Sequence, residues 1–131
     1  MYSLYTDAAT DSTTLKSAAG ILILHNGHQT QLKEPLPDGD NHHSEFKAAI
    51  AGFEALQQRV NAPGEATVLY YTDSQLVADS LNKQYAKHYQ ELVDNILTLQ
   101  QQFGLVVTNW VPEKQNMGAH TLAFQALHQL Y

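Results

Sequence analysis

The chain has 131 residues, of which 44% are hydrophobic and 15% are charged, and its formal net charge at pH 7 is −6. This length and composition predict one globular domain spanning residues 1–131, and they exclude a largely disordered chain. The absence of cysteine excludes disulfides, thiolate zinc sites and cysteine nucleophiles. Because the chain has only seven lysine and arginine residues, strong non-specific attraction to a nucleic-acid backbone is not expected.

The sequence gives no sign of a membrane or export signal. Residues 1–7 lack a basic start followed by a long apolar stretch, so they do not resemble a signal peptide. The longest apolar run, residues 18–24, is too short to cross a bilayer. These features favour a cytoplasmic protein without a membrane partner, and no obligate protein partner is evident.

Three strands are predicted in the first third of the chain. Residues 2–6 are short and aromatic, and residues 18–25 contain the run Ile21-Leu22-Ile23-Leu24. The Asn26-Gly27 dipeptide that follows is typical of a hairpin turn, so residues 28–33 are expected to pair back as a third strand. Prolines and an Asp-Gly pair then predict a loop over residues 34–41.

The hydrophobic period next changes to that of a helix. Apolar residues recur at helical spacing between Phe46 and Val60, after Ser44 as a predicted N-cap, and Ala62-Pro63-Gly64 is expected to end this helix. Residues 67–72 are β-branched and aromatic, which predicts a strand covered on both faces. Helices over residues 74–81 and 88–103, a strand over 105–111 and a helix over 116–130 complete the pattern.

The predicted order β-β-β-α-β-α-α-β-α indicates the α/β class. Three strands joined by short connections, followed by alternating strands and helices, imply a mixed sheet with helices packed on it.

Three acidic residues stand where such a sheet presents chemistry. Asp7 ends the first predicted strand, Asp73 ends the fourth, and Glu45 lies in the first turn of the first helix. If these two strands are neighbours, both aspartates emerge at one edge of the sheet. Three carboxylates gathered there would repel one another unless cations lay between them, and hard divalent cations prefer oxygen ligands.

The acidic residues also have purely structural interpretations, since a lone aspartate after a strand is usually an N-cap or a turn residue. Asp73 could cap the helix that follows it, and Glu45 could complement the dipole of its helix. Periodicity alone does not choose between these interpretations and a metal site.

Four segments, in order along the chain, resemble the type 1 ribonuclease H family and together cover nearly the whole sequence. They match an aspartate followed by small residues, an Asn-rich loop leading to a catalytic glutamate, a third-acid motif, and a closing motif in which Asn precedes Ala-Asp-x-Leu-Ala. The segments are Tyr5-Thr6-Asp7-Ala8-Ala9; Asn41-His42-His43-Ser44-Glu45-Phe46-Lys47-Ala48-Ala49; Tyr71-Thr72-Asp73-Ser74-Gln75-Leu76-Val77 with Leu81-Asn82; and Trp110-Val111-Pro112-Glu113-Lys114-Gln115-Asn116-Met117-Gly118-Ala119-His120-Thr121-Leu122-Ala123.

The resemblance implies a ribonuclease H-like five-stranded mixed sheet of order 3-2-1-4-5 with helices on both faces. It also implies an endonuclease that cleaves the RNA strand of RNA/DNA hybrids with two Mg²⁺ or Mn²⁺ ions. The implied catalytic residues and metal ligands are Asp7, Glu45, Asp73 and His120. The implied substrate-binding residues are Asn41, Ser74, Gln75 and Asn116, of which Asn41 and Gln75 would read sugar hydroxyls in a shallow minor groove.

The main departure from the family pattern is His120, which stands where the fourth acid is expected. Histidine could remain a ligand, as in the Asp-Glu-Asp-His set of the related Argonaute proteins, with a preference for Mn²⁺ over Mg²⁺. It could also mark a lost ligand, in which case the chain is a weakened or inactive ribonuclease H-like module that binds nucleic acid. A protein-interaction domain that uses the acidic surface is a third hypothesis.

Two further features bear on function. The basic helical protrusion of many family members is missing, although Lys83 and Lys87 lie near its place. The six other histidines raise the possibility of a zinc site, but their spacing matches no compact helical pair. They are His25, His28, His42, His43, His88 and His128.

Overall fold

Five strands and four α-helices follow one another in the order that the sequence predicts, in a computed structural model that describes residues 1–131. The strands are β1 (Tyr2–Thr10), β2 (Ser17–His25), β3 (His28–Leu36), β4 (Thr67–Thr72) and β5 (Leu105–Trp110). The helices are α1 (Asn41–Gln57), α2 (Gln75–Lys83), α3 (Gln90–Gln100) and α4 (Met117–His128). Short 3₁₀ turns lie at Pro63–Glu65 and Glu113–Gln115.

The strands form one mixed sheet of order β3-β2-β1-β4-β5. Strands β1, β2 and β3 pair antiparallel, whereas β4 pairs parallel with both β1 and β5. The predicted order 3-2-1-4-5 is therefore confirmed, and β1 at the centre separates the antiparallel half from the parallel half.

Helices cover both faces of this sheet, as predicted. Because side chains alternate along a strand, β1 directs Leu4 and Thr6 towards α1, where both approach Gly52. Helices α2 and α3 join α1 on that face, and α4 alone packs on the other. The largest fully buried side chains of the sheet and of the three-helix face are Leu4, Ile21, Phe46, Phe53, Leu56, Val68, Tyr70, Val77, Val93 and Ile96.

Helix α4 contacts β2 closely because residue 20 is glycine. A Cβ at Gly20 would lie 2.0 Å from the carbonyl oxygen of Ala119 and 2.4 Å from the backbone nitrogen of Ala123. Such distances are well inside van der Waals contact, so no larger residue fits without movement of the helix. The contact thus sets the position of His120, which follows Ala119 in α4.

The first helix begins one turn earlier than the sequence pattern predicts. Asp40 is its N-cap, since Asp40 Oδ1 accepts a hydrogen bond of 2.8 Å from the backbone N–H of His43. The prediction of Ser44 as the N-cap is wrong. Ser44 is buried, and its hydroxyl donates instead to Oγ of Ser17 at 2.8 Å. The helix ends at Gln57, before the Ala62-Pro63-Gly64 segment that was expected to end it.

Two strands are longer than predicted. Strand β1 does not end at Asp7 but continues to Thr10, paired with β2. Strand β3 continues to Leu36 and includes Pro35. Proline is tolerated there because β3 is an edge strand, where a backbone N–H can face solvent.

The last helices are shorter than their predicted ranges of 88–103 and 116–130. Helix α3 covers Gln90–Gln100, and α4 covers Met117–His128. None of the helices combines the length and the apolar composition that a membrane crossing requires.

Candidate metal centre

The parallel pairing of β1 and β4 brings two aspartates side by side. The last residue pair in this register is Thr6 with Thr72. Asp7 follows Thr6 along the chain, and Asp73 follows Thr72. Asp73 follows the end of β4, whereas Asp7 lies within β1 because that strand continues beside β2. Both carboxylates therefore stand at the level where the parallel half of the sheet ends.

Helix α1 supplies the third carboxylate from its second turn, not from the predicted first turn, because the helix already begins at Asn41. The backbone N–H of Ala8 donates a hydrogen bond of 2.7 Å to Glu45 Oε1, which ties the glutamate to β1. The neighbouring Ser44–Ser17 hydrogen bond fixes the same turn of α1 against β2. As a result, one carboxylate oxygen from each of Asp7, Glu45 and Asp73 lies within 4.8 Å of the other two.

The three carboxylates cannot readily all be charged without a cation. Burial, and then the charges of Asp7 and Asp73, raise the pKa of Glu45 to about 9. Burial, and then the charge of Asp7, raise the pKa of Asp73 to about 6. Asp7 is only 5% exposed, and burial also raises its pKa, against the opposing effect of its hydrogen bonds.

This donor set fits hard divalent cations. All three groups offer carboxylate oxygens, which suit Mg²⁺ and Mn²⁺. With Mg²⁺–oxygen distances of about 2.1 Å, two ligands on one ion lie at most about 4.2 Å apart. Separations up to 4.8 Å are compatible with such ligands after small side-chain adjustments, or with ligands divided between two ions. The negative charge of the cluster provides the driving force for cation binding.

His120 reaches the centre from α4, on the opposite face of the sheet from α1. Its Nδ1 lies 3.0 Å from Asp7 Oδ2 and 3.6 Å from Glu113 Oε1. Its side chain is 31% exposed. The three-carboxylate group does not include His120, so in this structure it is a hydrogen-bond partner of Asp7, with Nε2 left for another partner.

The predicted substrate-binding residues fall into two pairs. Asn41 and Gln75 are the first residues of α1 and α2, and both are exposed. Ser74 caps α2, since its Oγ accepts a hydrogen bond from the backbone N–H of Val77. Asn116 is only 1% exposed, and its Nδ2 donates to the carbonyl oxygen of Thr6 at 2.9 Å, which joins the start of α4 to β1.

Two residues at the centre were not singled out from the sequence. The indole Nε1 of Trp110 donates a hydrogen bond of 3.1 Å to the carbonyl oxygen of Asp73. Glu113 faces His120 and contributes to the raised pKa of Asp73. Both lie in the closing motif of residues 110–123, which was the only sequence signal for them.

The remaining histidines do not form a metal site. Asp7, Glu45 and Asp73 are the only group of three or more potential ligands that the structure brings together. His43 bonds Asp40 through Nδ1 at 3.0 Å. The hypothesis of a separate zinc site therefore has no structural support.

A family model described as reverse transcriptase-like matches residues 5–126. EbsB from Enterococcus faecalis, which is named as a presumed hydrolase, is 38% identical over 134 aligned residues covering 100% of this chain and 97% of EbsB. Ribonuclease H from Desulforamulus reducens is 32% identical over 88 residues, which cover 67% of this chain and 52% of that protein. The chain thus matches about half the length of this ribonuclease H.

Solved structures share the fold at low sequence identity. The ribonuclease H1 of Halobacterium salinarum superposes with a TM-score of 0.87 at 22% identity, with 98% of each chain covered. LC11-RNase H1, solved in complex with an RNA/DNA hybrid, gives a TM-score of 0.88 at 18% identity, with 99% of each chain covered. These likenesses show that the arrangement of strands and helices is common to all three chains.

Proposed function

We propose, from the premise that this chain belongs to the ribonuclease H family of hydrolases, that it is an endonuclease cleaving the RNA strand of RNA/DNA hybrids with two divalent metal ions. The observation that carries the proposal is the convergence of Asp7, Glu45 and Asp73 from three separate elements. A ribonuclease H and a fold neighbour bound to an RNA/DNA hybrid support the choice of substrate.

The carboxylates have distinct positions in the proposed reaction. Asp7 lies beside the other two acids and contacts His120, so it would be the ligand shared by the two ions. Glu45 and Asp73 would complete the ligand set. When bound, the divalent cations supply positive charge at the scissile phosphate and lower the pKa of an attacking water. The protein holds these carboxylates in place through the Ala8–Glu45 hydrogen bond and the β1–β4 register.

His120 is proposed as the fourth member of the catalytic set. Its contact with Asp7 orients that carboxylate, in the way that hydrogen bonds from neighbouring groups commonly orient metal ligands. Its Nε2 is then the atom through which the ring would act as a ligand. Because imidazole suits softer ions than Mg²⁺, we propose that Mn²⁺ supports activity better than Mg²⁺.

The substrate would lie across the N-terminal ends of α1 and α2. Asn41 and Gln75 are exposed at these two ends and can offer amide groups to sugar hydroxyls of the hybrid. Ser74, which precedes α2 as its N-cap, would contact the same region. Asn116 would support substrate binding indirectly, since its amide is buried against Thr6.

The proposed activity is tested with a labelled RNA/DNA hybrid in Mg²⁺ or Mn²⁺. Asp73→Asn removes an anionic ligand and should lower the cleavage rate at least about 100-fold, in line with the loss of several kcal/mol of charge stabilisation. Asp79→Asn is the matched control, because Asp79 is an exposed residue of α2 away from the carboxylate group. If the folded wild-type protein cuts the hybrid with neither ion, the proposed activity is refuted.

A second candidate function is a non-catalytic module that binds nucleic acid, and the replacement of the fourth acid by His120 favours it. The variants His120→Ala and His120→Asp separate the two functions. If His120 contributes to catalysis, His120→Ala should lower the cleavage rate with Mn²⁺ about 10- to 100-fold. If His120 has no role in catalysis, His120→Ala should change the cleavage rate little, and His120→Asp should raise the rate with Mg²⁺ substantially. His88→Ala, at an exposed site, is the control.

A further inference from the structure

A row of rings runs along the exposed side of α4, starting at the metal centre. His120, Phe124 and His128 are spaced four residues apart, so they lie on one face of the helix. Their ring centroids are separated by 5.7 Å for the first pair and 5.2 Å for the second. Phe124 is 50% exposed, although it is among the largest apolar side chains of the helix.

The row borders a groove of about 630 Å³ between α4 and the edge strand β3. Apart from the three rings, the groove is lined by Lys33, Thr121, Gln125 and Gln129. Lys33 lies on β3 opposite Gly20, on the sheet face that α4 covers. The groove therefore combines ring faces, amide groups and one lysine, and Phe124 is its only hydrophobic residue.

We infer that the three rings and Lys33, here called the α4 ring row, bind single-stranded RNA that continues from a hybrid held at the metal centre. This inference rests on the proposed function, because it assumes that an RNA strand is positioned beside Asp7. The row would take nucleobases on Phe124 and His128 and a phosphate on Lys33.

Continuity with the metal centre is the first support for this assignment. His120 is both the first ring of the row and the hydrogen-bond partner of Asp7, at 3.0 Å. The rise of an α-helix places rings four residues apart about 6 Å from each other along the axis, so the row extends about 12 Å from the centre. An RNA strand leaving the centre on this side would meet ring faces immediately.

The second support is the charge of the whole chain. With seven lysine and arginine residues and a net charge of −6, the protein has few cations with which to hold a phosphate backbone. Stacking on aromatic rings holds single strands without depending on charge, and every base offers a stacking face. A single lysine beside a row of rings is the combination expected where binding relies on bases more than on phosphates.

The lining argues against a partner helix in this groove. A helix that docks in a groove buries a stripe of apolar side chains, and it requires an apolar surface to receive them. Here Phe124 alone would provide that surface. The polar amides and Lys33 would lose water without gaining matched partners.

The test compares cleavage of one hybrid in three forms: blunt, with a short single-stranded RNA extension at the 5′ end, or with the same extension at the 3′ end. For the wild-type protein, one of the extensions should lower KM at least about fivefold relative to the blunt hybrid. Phe124→Ala should abolish this advantage, whereas Phe124→Tyr should retain it because a ring is kept. Leu105→Ala, which truncates an exposed apolar residue on β5, should leave the advantage unchanged.

The ratio of the KM for the blunt hybrid to the KM for each extended hybrid isolates binding at the α4 ring row from general effects on His120, because such effects change the KM of all three hybrids alike. If the wild type cleaves all three hybrids with equal KM, the inference is wrong while the proposed function stands. An extension of the DNA strand that works as well as RNA contradicts the assignment to the RNA strand.

If the wild type cleaves no hybrid, the proposed function fails and the row is tested by binding alone. Fluorescence anisotropy with a labelled single-stranded RNA then measures its affinity for the wild type, Phe124→Ala and Leu105→Ala. Loss of affinity confined to Phe124→Ala supports binding at the row, and equal affinity for all three proteins overturns it.

Discussion

Glu45 illustrates how a single residue couples the metal centre to the stability of the fold. Its carboxylate is held against β1 by the N–H of Ala8, close to Asp7 and Asp73. Burial and the two neighbouring charges raise the pKa of Glu45 to about 9. In metal-free protein the residue therefore keeps a proton that the unfolded chain loses near its ordinary pKa of 4.5.

The first prediction concerns the pH dependence of stability without metal. Between the unfolded pKa of 4.5 and the folded pKa of about 9, the folded state binds more protons than the unfolded state, so stability should fall as pH rises. The raised pKa of Asp73, about 6, adds to the fall at the acidic end of this range. Urea unfolding at several pH values with a chelator present measures the effect.

Glu45→Gln provides the control for this prediction, because an amide has the same shape and no charge. The variant should be more stable than the wild type in metal-free buffer at pH 8, by at least about 1 kcal/mol, because it avoids the cost of keeping a proton that the unfolded wild-type chain has released. Saturating Mn²⁺ should remove the fall with pH in the wild type. A metal-free wild type whose stability rises through this pH range would contradict the prediction.

At the scale of elements, the sequence predicts the number and order of strands and helices better than their ends. Periodic apolar residues identify α1 and α4, and the Asn26-Gly27 turn identifies the β2–β3 hairpin. The start of α1 was misplaced because its first turn, residues 41–43, is polar and carries no apolar signal. Its cap at Asp40 is recognisable only from the hydrogen bond to His43.

The site is predictable in part for a similar reason. The positions of Asp7 and Asp73 at the ends of two predicted strands, and of Glu45 at the start of the first predicted helix, suggest that the three meet, and the resemblance to ribonuclease H adds His120. The contact between Asp7 and His120 joins residues 113 positions apart, from elements on different layers. No local pattern reports such a contact, because it depends on how closely α4 packs on β2.

The second prediction tests that packing through Gly20. A Cβ at this position would meet backbone atoms of Ala119 and Ala123, so Gly20→Ala should displace α4 and cost about 1–3 kcal/mol of stability. The displacement should also lower hybrid cleavage, since His120 moves with the helix. Thermal unfolding and the cleavage assay measure the two effects.

Gly64→Ala is the matched control for Gly20→Ala, because a Cβ at Gly64 meets nothing within 4 Å. Its effect on stability should stay within about 0.5 kcal/mol, as for ordinary surface substitutions. If Gly20→Ala proves as harmless as Gly64→Ala, the close contact between α4 and β2 does not determine the position of His120.

At the scale of the whole molecule, the negative net charge distinguishes this chain from proteins that bind nucleic acids mainly through contacts with phosphates. The net charge is −6, and Lys33 is the only lysine or arginine in the α4 ring row. If the proposed function is right, bound cations and exposed polar groups would therefore provide most of the attraction for a hybrid.

The third prediction is a weak dependence of hybrid binding on salt. With at most about three phosphate contacts from lysine or arginine, the slope of log K against log salt concentration should be shallower than about −3. Binding of the Asp73→Asn variant to a labelled hybrid at several KCl concentrations, with Mn²⁺ constant, measures the slope. A slope near −6 would require almost all seven basic residues and would contradict this account.

The most direct test of the whole account is a calorimetric titration of the folded, metal-free protein with Mn²⁺. Three carboxylates from β1, α1 and the end of β4 should take up the ion with a release of protons, because Glu45 and Asp73 have raised pKa values without it. Asp73→Asn should weaken the binding at least about tenfold, and Asp79→Asn should not. A folded wild-type protein that takes up no ion, or an Asp73→Asn variant that binds as tightly, would contradict the assignment of this cluster as a metal centre.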